Sequence, residues 1–424
     1  MLSAALHDGT ASRQTTFEVF ARRLPPGRRY GVVAGTGRFL EALASFTFDE
    51  VALESVREFL DPETIDYLAR YRFRGDMHGY PEGELYFPGS PVLTVRGTFA
   101  ECVLLETLSL SILNHDTAIA SAAARMVIAA GHGQIIEMGS RRTHEQAAVA
   151  AARAAYIAGF AGSSNLEAQR RYGVPALGTS AHAFTMLHAT ENGPAEDEKA
   201  AFRAQVEALG VNTTLLVDTY DVTTGVANAV EIAGSRLGAV RIDSGDLATV
   251  AHQVRRQLDD LGARHTRIVA SGDLDEFAIA KLQDAPIDSY GVGTALVTGS
   301  GAPTANMVYK LVEVDGMPVE KRSTHKESRG GYKQAMRLVR SSGTVFEEVV
   351  YPAGRPPATS ESSRILTVPL VRKGEPLAAD DLSTARARIS AGLKSLPLDG
   401  LDLSAGEPAI PTRMIKEGPR QPPQ

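Results

Sequence analysis

From Gly133 onward the chain repeats one phrase: a short apolar run, a polar or Gly-rich tip, then a helical pattern. The phrase returns roughly every 20–40 residues, the spacing of βα units. Gln134–Glu137, Val174–Leu177, Thr214–Val217, Ala239–Ile242, Arg267–Ala270 and Ile287–Gly291 read as strands. Helical patterns at His144–Phe160, Ala195–Leu209, Gly225–Ile232, Leu247–Leu261 and Asp275–Gln283 alternate with them. Such alternation predicts a parallel sheet built from βαβ units. Consecutive units without a dinucleotide glycine fingerprint favour a barrel over a doubly wound sheet.

The flanks have a different texture. Thr16–Arg23, Gly37–Ser45 and Leu53–Phe59 read as helix-like, Glu84–Phe99 as β-rich, and Ala100–Ala130 as a long helical region. Met307–Val314 and Tyr332–Val339 read as β-like, with the basic string Lys321-Arg322-Ser323-Thr324-His325-Lys326 between them. Leu401–Ser404 and Pro408–Arg413 show little periodicity, and the Pro/Gln-rich tail 417–424 is expected to be disordered. The expected fold class is α/β, an irregular parallel α/β barrel over residues 116–304. An N-terminal α+β domain (1–115), completed by strands from 305–424, would accompany it.

Composition narrows the function. A net charge of −6 argues against a general nucleic-acid or anionic-membrane binder. The single cysteine, Cys102, excludes an intrachain disulfide framework and a Cys-rich zinc site. It precedes the apolar run Val103-Leu104-Leu105, where a buried, inert thiol is the natural reading. His7 and Asp8 interrupt any secretory h-region, and Glu106, Asp116 and Arg125 break the long apolar stretches. The expectation is a soluble cytoplasmic protein.

The strand tips carry the chemistry, because barrel enzymes build their sites on loops at the C-terminal ends of strands. Arg241-Ile242-Asp243-Ser244-Gly245-Asp246 feeds an Arg and two acids into a Gly turn before a helix. Asp246 reads equally well as a helix N-cap. Asp243 does not, and Arg241, two residues earlier, shares its face of the strand. Ser271-Gly272-Asp273 and Gly291-Val292-Gly293-Thr294 end the next two strands. Glycines there let backbone N–H groups approach a phosphate, although a lone Gly-x-Gly is usually only a turn. Arg141 and Arg142 offer planar donors suited to phosphate oxygens, or form a solvated helical turn. His182, in Gly178-Thr179-Ser180-Ala181-His182, reads by itself as a structural histidine more readily than a catalytic one.

Together these tips resemble the type II phosphoribosyltransferases, specifically the nicotinate phosphoribosyltransferase family. The resemblance runs through Phe73-Arg74-Gly75-Asp76, Pro81-Glu82-Gly83, Glu106 to Asn114, Glu137–Arg142, Gly178–His182 and Asp243–Asp246. It implies that nicotinate attacks C1 of phosphoribosyl pyrophosphate to give nicotinate mononucleotide and pyrophosphate. It also implies coupling to ATP hydrolysis through a phosphohistidine, for which His182 matches the family residue. Arg241 would hold the substrate carboxylate and Asp243 the ribose. Gly272, Asp273, Gly291 and Gly293 would cradle the 5′-phosphate, assisted by Lys310. Arg141, with Lys326 or Lys333, would neutralise pyrophosphate, while Met138, Arg142, Thr179, Ser244 and Asp246 complete the expected substrate contacts. Magnesium is implied by the pyrophosphate, with Asp218 and Asp221 the carboxylates expected nearest it. A homodimer is implied as well.

Two departures from the family pattern stand out. Its members commonly open with a Thr-Asp segment carrying an aromatic residue that stacks on the pyridine, often across a dimer interface. This chain starts at Met1-Leu2-Ser3-Ala4-Ala5, inside or just after that segment, and Met138 stands where relatives often have an aromatic. Three alternatives are weighed. A quinolinate enzyme would need more positive charge and no Gly178–His182 segment. A nicotinamide enzyme would differ in few residues around Arg241. A non-catalytic sugar-phosphate-binding barrel would not require His182 together with Asp243.

Overall fold

The structure, a computed structural model, describes residues 1–321 and 329–415, so Lys326 and the tail 417–424 lie outside the described residues. Two compact units emerge: Ala122–Gly301 forms one, and Met1–Ser121 with the chain from Ala302 onward forms the other.

The Ala122–Gly301 unit is mixed α/β around a six-stranded, all-parallel sheet. Its strand order is Gly162–Ser163, Gln134–Glu137, Ser289–Val292, Arg267–Ser271, Ala239–Ile242 and Thr214–Leu216. The four inner strands are apolar because helices cover parallel sheets, and Ile135, Val240, Ile242, Ile268 and Val292 are buried. Side-chain caps start the intervening helices at the tips: Asp221, Asp246 and Asp275 accept the N–H of Thr224, Thr249 and Ala278 at 2.8, 2.9 and 2.7 Å.

The pairing bears out the expected parallel α/β sheet. Among the described residues the sheet is an open half-barrel, whose Gly162–Ser163 edge is extended only by a single bridge from Ser163 to Ala176. The predicted strand Val174–Leu177 therefore contributes one bridge rather than a ladder. Pro175 has no N–H to donate to either side, which limits what this stave can pair.

The other unit interleaves both ends of the chain. Its seven-stranded antiparallel sheet places Gln14–Ala21 between Met307–Val314 and Leu93–Thr98, with Asp76–Gly79 and Val368–Arg372 beyond. The helix-like reading of Thr16–Arg23 is thus corrected to a strand. Neighbours on both edges bury every residue of it after Gln14, and Phe17 stacks on Tyr309 with ring centroids 4.8 Å apart. Two further corrections concern helix ends: Leu53–Phe59 contains only the end of a helix over Glu50–Glu54, and the 100–130 region breaks between Val103 and Glu106. A helix over Leu382–Ser395, capped by Asp381, forms in a stretch to which the sequence reading assigned no element.

A four-stranded sheet (Ser362–Ile365, Lys333–Val339, Val345–Pro352, Thr412–Met414) carries a buried ionic knot. Arg337, fully buried, bonds Glu84 and Glu348 at 2.7 Å each, and Tyr80 donates to Glu348 at 2.8 Å. Arg364 reaches Glu84 from the surface side at 2.6 Å. No helix among the described residues is long and apolar enough to cross a membrane.

Candidate active site

Five strand ends of the parallel sheet, with the stave that ends at Leu177, converge on a cavity of about 480 Å³. Met138, Arg141, Arg142, Thr179, Arg241, Asp243, Gly272, Asp273, Gly291 and Gly293 all line it. Residues 155 positions apart in sequence thus share one mouth because parallel βα units deliver every strand's C-terminal end to the same side.

Arg241 and Asp243 form its centre. The Arg241 guanidinium donates from Nε to Ser271 Oγ at 2.7 Å, from Nη1 to Thr179 Oγ1 at 2.7 Å, and from Nη2 to Asp243 Oδ1 at 2.7 Å. Ser271, itself buried, also donates to Asp243 Oδ1. Partial burial pushes the Asp243 carboxyl up. The hydrogen bonds from Ser271 and Arg241 and the nearby Arg241 charge outweigh it and hold the group below the usual carboxylate range.

His182 opens the short helix His182–Met186, with its side chain 38% exposed, so the ring is open to solvent. Its Nδ1 lies 3.2 Å from Thr219 Oγ1. Its Nε2 lies 3.9 Å from both Asp218 Oδ1 and Asp243 Oδ2. Those distances are longer than hydrogen bonds. The Asp218 side chain is buried: its Oδ2 accepts the Asp243 N–H at 2.8 Å and the Ser244 hydroxyl at 2.7 Å, while its Oδ1 has no hydrogen-bond partner. An unpaired carboxylate oxygen in the interior is costly unless a charged partner faces it, and the group facing it is His182.

The late loops are shaped for close backbone approach. Gly272 adopts φ 110°, and a Cβ there would meet the Asp243 carbonyl oxygen at 2.6 Å. A Cβ on Gly291 would meet Met138 Sδ at 2.8 Å. Arg141 and Arg142 are exposed and make no ion pair among the described residues, so both cations are available to the cavity.

Other expected residues sit elsewhere. Asp221 and Asp246 are exposed N-caps, each held below the usual range first by the backbone N–H it accepts, from Thr224 and Thr249 respectively. Lys310 and Lys333 belong to the other unit. Lys333 is buried there, its ammonium 3.2 Å from Glu18 and donating to the carbonyls of Arg329 and Gly331. Two backbone carbonyls and the Glu18 carboxylate thus engage its ammonium within its own unit. Ser271 and Thr219 did not stand out as site residues in the sequence. The available signal was weak: each is a small hydroxyl residue at or just past a strand end. No group of three or more His, Cys, Asp or Glu that could hold a metal ion occurs among the described residues. Asp221 caps a helix, and Asp218 faces His182.

Behind the mouth, Glu198 is buried on the helix Pro194–Leu209, where its Oε2 accepts from Asn228 at 3.0 Å. Burial, with Asp221 and Asp218 adding repulsion, raises its carboxyl to about 7. A folded-state value above the unfolded one contributes stability that is present at low pH and is lost as pH rises towards that folded value. Between pH 5 and 8, Glu198 is therefore expected to remove on the order of 2 kcal/mol of stability. Urea midpoints should fall across that range in the parent chain and much less in Glu198→Gln; parallel pH profiles would contradict this account.

Comparison with known proteins identifies the family. A family model described as the nicotinate phosphoribosyltransferase N-terminal domain matches residues 1–114, and one for the nicotinate phosphoribosyltransferase family matches residues 133–349. Nicotinate phosphoribosyltransferase pncB1 of Mycobacterium tuberculosis is 73% identical over 98% of this chain and 93% of that protein. The Bacillus subtilis nicotinate phosphoribosyltransferase is 37% identical over 79% of this chain and 70% of its own length. The crystal structure of human nicotinic acid phosphoribosyltransferase superposes with a TM-score of 0.83 at 26% identity, covering 98% of this chain and 96% of that one. With a family model spanning half of it and relatives this similar along nearly all of it, the chain belongs to the nicotinate phosphoribosyltransferase family.

Proposed function

We propose that this enzyme of NAD biosynthesis joins nicotinate to phosphoribosyl pyrophosphate with its labour divided among the corners of the cavity, coupled to ATP through His182. The pyridine nitrogen lone pair attacks C1 of the ribose. The C1–O bond breaks, and its electron pair leaves with pyrophosphate. Fixed negative charge near the sugar and fixed positive charge on the leaving group lower such an oxocarbenium-like barrier.

The observation that carries this reading is the guanidinium of Arg241, held by three partners at the cavity wall with N–H groups still open. Those open donors suit the nicotinate carboxylate. Asp243 has its Oδ1 saturated by Arg241 and Ser271, so its Oδ2 serves the ribose. Gly272, Asp273, Gly291 and Gly293 receive the 5′-phosphate on their backbone, and Arg141 with Arg142 the pyrophosphate. Magnesium would arrive on pyrophosphate oxygens with its own waters, supplying charge neutralisation. ATP phosphorylates an unprotonated ring nitrogen of His182 with loss of ADP, and Asp218 steadies the charge that the ring acquires. The family resemblance supports a cytoplasmic homodimer, and an irregular α/β barrel as the form into which the parallel sheet curves.

A substrate panel tests the reading. With labelled phosphoribosyl pyrophosphate and ATP, mononucleotide is expected from nicotinate, with little from nicotinamide and none from quinolinate. Equal turnover of the amide would remove Arg241 as the carboxylate receptor, and no product from any of the three would remove the catalytic assignment.

A further inference from the structure

Arg241 carries five N–H donors, and what surrounds it decides which of them a substrate can use. Three are committed, to Ser271, Thr179 and Asp243. The acceptors of the Nε and Nη2 donors are themselves joined, since the Ser271 hydroxyl donates to the same Asp243 Oδ1 that receives Nη2. One edge of the guanidinium is therefore closed by a hydrogen-bonded pair of acceptors. With Nη1 pinned by Thr179, one N–H remains on each terminal nitrogen. Ser271 is 3% exposed and ends the Arg267–Ser271 strand, next to the strand that bears Arg241, so its hydroxyl is fixed by the sheet rather than by solvent.

We propose that Ser271 is a positioning residue that sets which Arg241 donors face the incoming pyridine substituent, and through them the preference for an acid over an amide. The proposal rests on the assignment of Arg241 as carboxylate receptor. A carboxylate offers two acceptor oxygens to two parallel N–H groups. A carboxamide offers one oxygen and an NH2, and its NH2 against a fixed guanidinium N–H leaves two donors facing each other. The rejection requires a guanidinium that cannot turn. Without the Ser271 hydroxyl, Nε loses its acceptor, Asp243 loses a donor, and the guanidinium is free to swing until a single N–H meets the amide oxygen.

The test compares Ser271→Ala and Ser271→Thr with the parent enzyme and with Arg241→Lys, on nicotinate and on nicotinamide, in the presence of phosphoribosyl pyrophosphate and ATP. In Ser271→Ala the KM for nicotinate should rise about tenfold or more, and the acid-to-amide ratio of kcat/KM should fall about tenfold. The KM for phosphoribosyl pyrophosphate should stay within about threefold, and Ser271→Thr, which keeps the hydroxyl, should recover most of the ratio. A merely structural role would lower activity towards both bases alike and would show as a lowered melting temperature. An acid-to-amide ratio unchanged in Ser271→Ala, while Arg241→Lys raises the nicotinate KM, overturns the role of Ser271 and leaves Arg241 in place. If Arg241→Lys leaves the nicotinate KM unchanged, the receptor assignment fails and the Ser271 proposal with it.

Discussion

Replacing His182 by alanine is expected to abolish nicotinate-dependent ATP hydrolysis, by a factor of about a thousand or more. Slow mononucleotide synthesis should remain. The reasoning is local. Alanine removes the ring whose Nε2 lies 3.9 Å from both Asp218 Oδ1 and Asp243 Oδ2. The synthetic corner is built without this ring: Arg241 is held by Ser271, Thr179 and Asp243, and none of those bonds passes through His182. Loss of ATP turnover with residual synthesis therefore separates the coupling device from the transferase site. The measurement is ADP release alongside mononucleotide formation in one assay. ADP release at the parent rate in the variant would end the phosphohistidine assignment.

The second large effect concerns stability. Arg337→Leu is expected to cost about 3–5 kcal/mol, because it leaves the carboxylates of Glu84 and Glu348 in the interior without their shared cation. Arg364 still reaches Glu84, but among the described residues Glu348 keeps the side-chain hydroxyls of Tyr80 and Ser90 alone. A loss of that size lowers a melting temperature by roughly 10 °C in a unit of this length. Neutralising the abandoned acids by Glu84→Gln and Glu348→Gln in the same chain should recover a good part of the loss, since unpaired buried charge causes most of the penalty. Thermal or urea unfolding of the single and triple variants checks both statements. A single variant within about 1 kcal/mol of the parent would mean that the knot contributes little.

Much of the mouth was legible before any coordinates. The strands Gln134–Glu137 and Ala239–Ile242 lie where their apolar runs predicted, because strands covered on both faces are apolar throughout. The shared face of Arg241 and Asp243 follows from the two-residue period of a strand, and both residues line the cavity. The acids at the helix starts were harder to read. Asp221 and Asp246 carry the same residue type and a similar setting to Asp218 and Asp243, yet the first pair caps helices and the second faces His182. Residue type alone does not separate a cap from a site carboxylate three residues earlier, and at Asp218 and Asp221 the sequence offered no further signal.

What the sequence by itself determined, then, is the parallel sheet and the residues set at its strand tips, because both depend on periodicities of a few residues. Tertiary structure alone decided three things: that Thr16–Arg23 is a strand, that Lys333 belongs to Glu18, and that Ser271 ties Arg241 to Asp243. Each depends on partners brought together over long stretches of chain: Gln14–Ala21 is sandwiched between Leu93–Thr98 and Met307–Val314, Lys333 meets Glu18 across the fold, and Ser271 reaches back to the preceding strand. Local propensity yields to such pairing because burial and hydrogen bonding on both edges outweigh the small intrinsic preferences of individual residues.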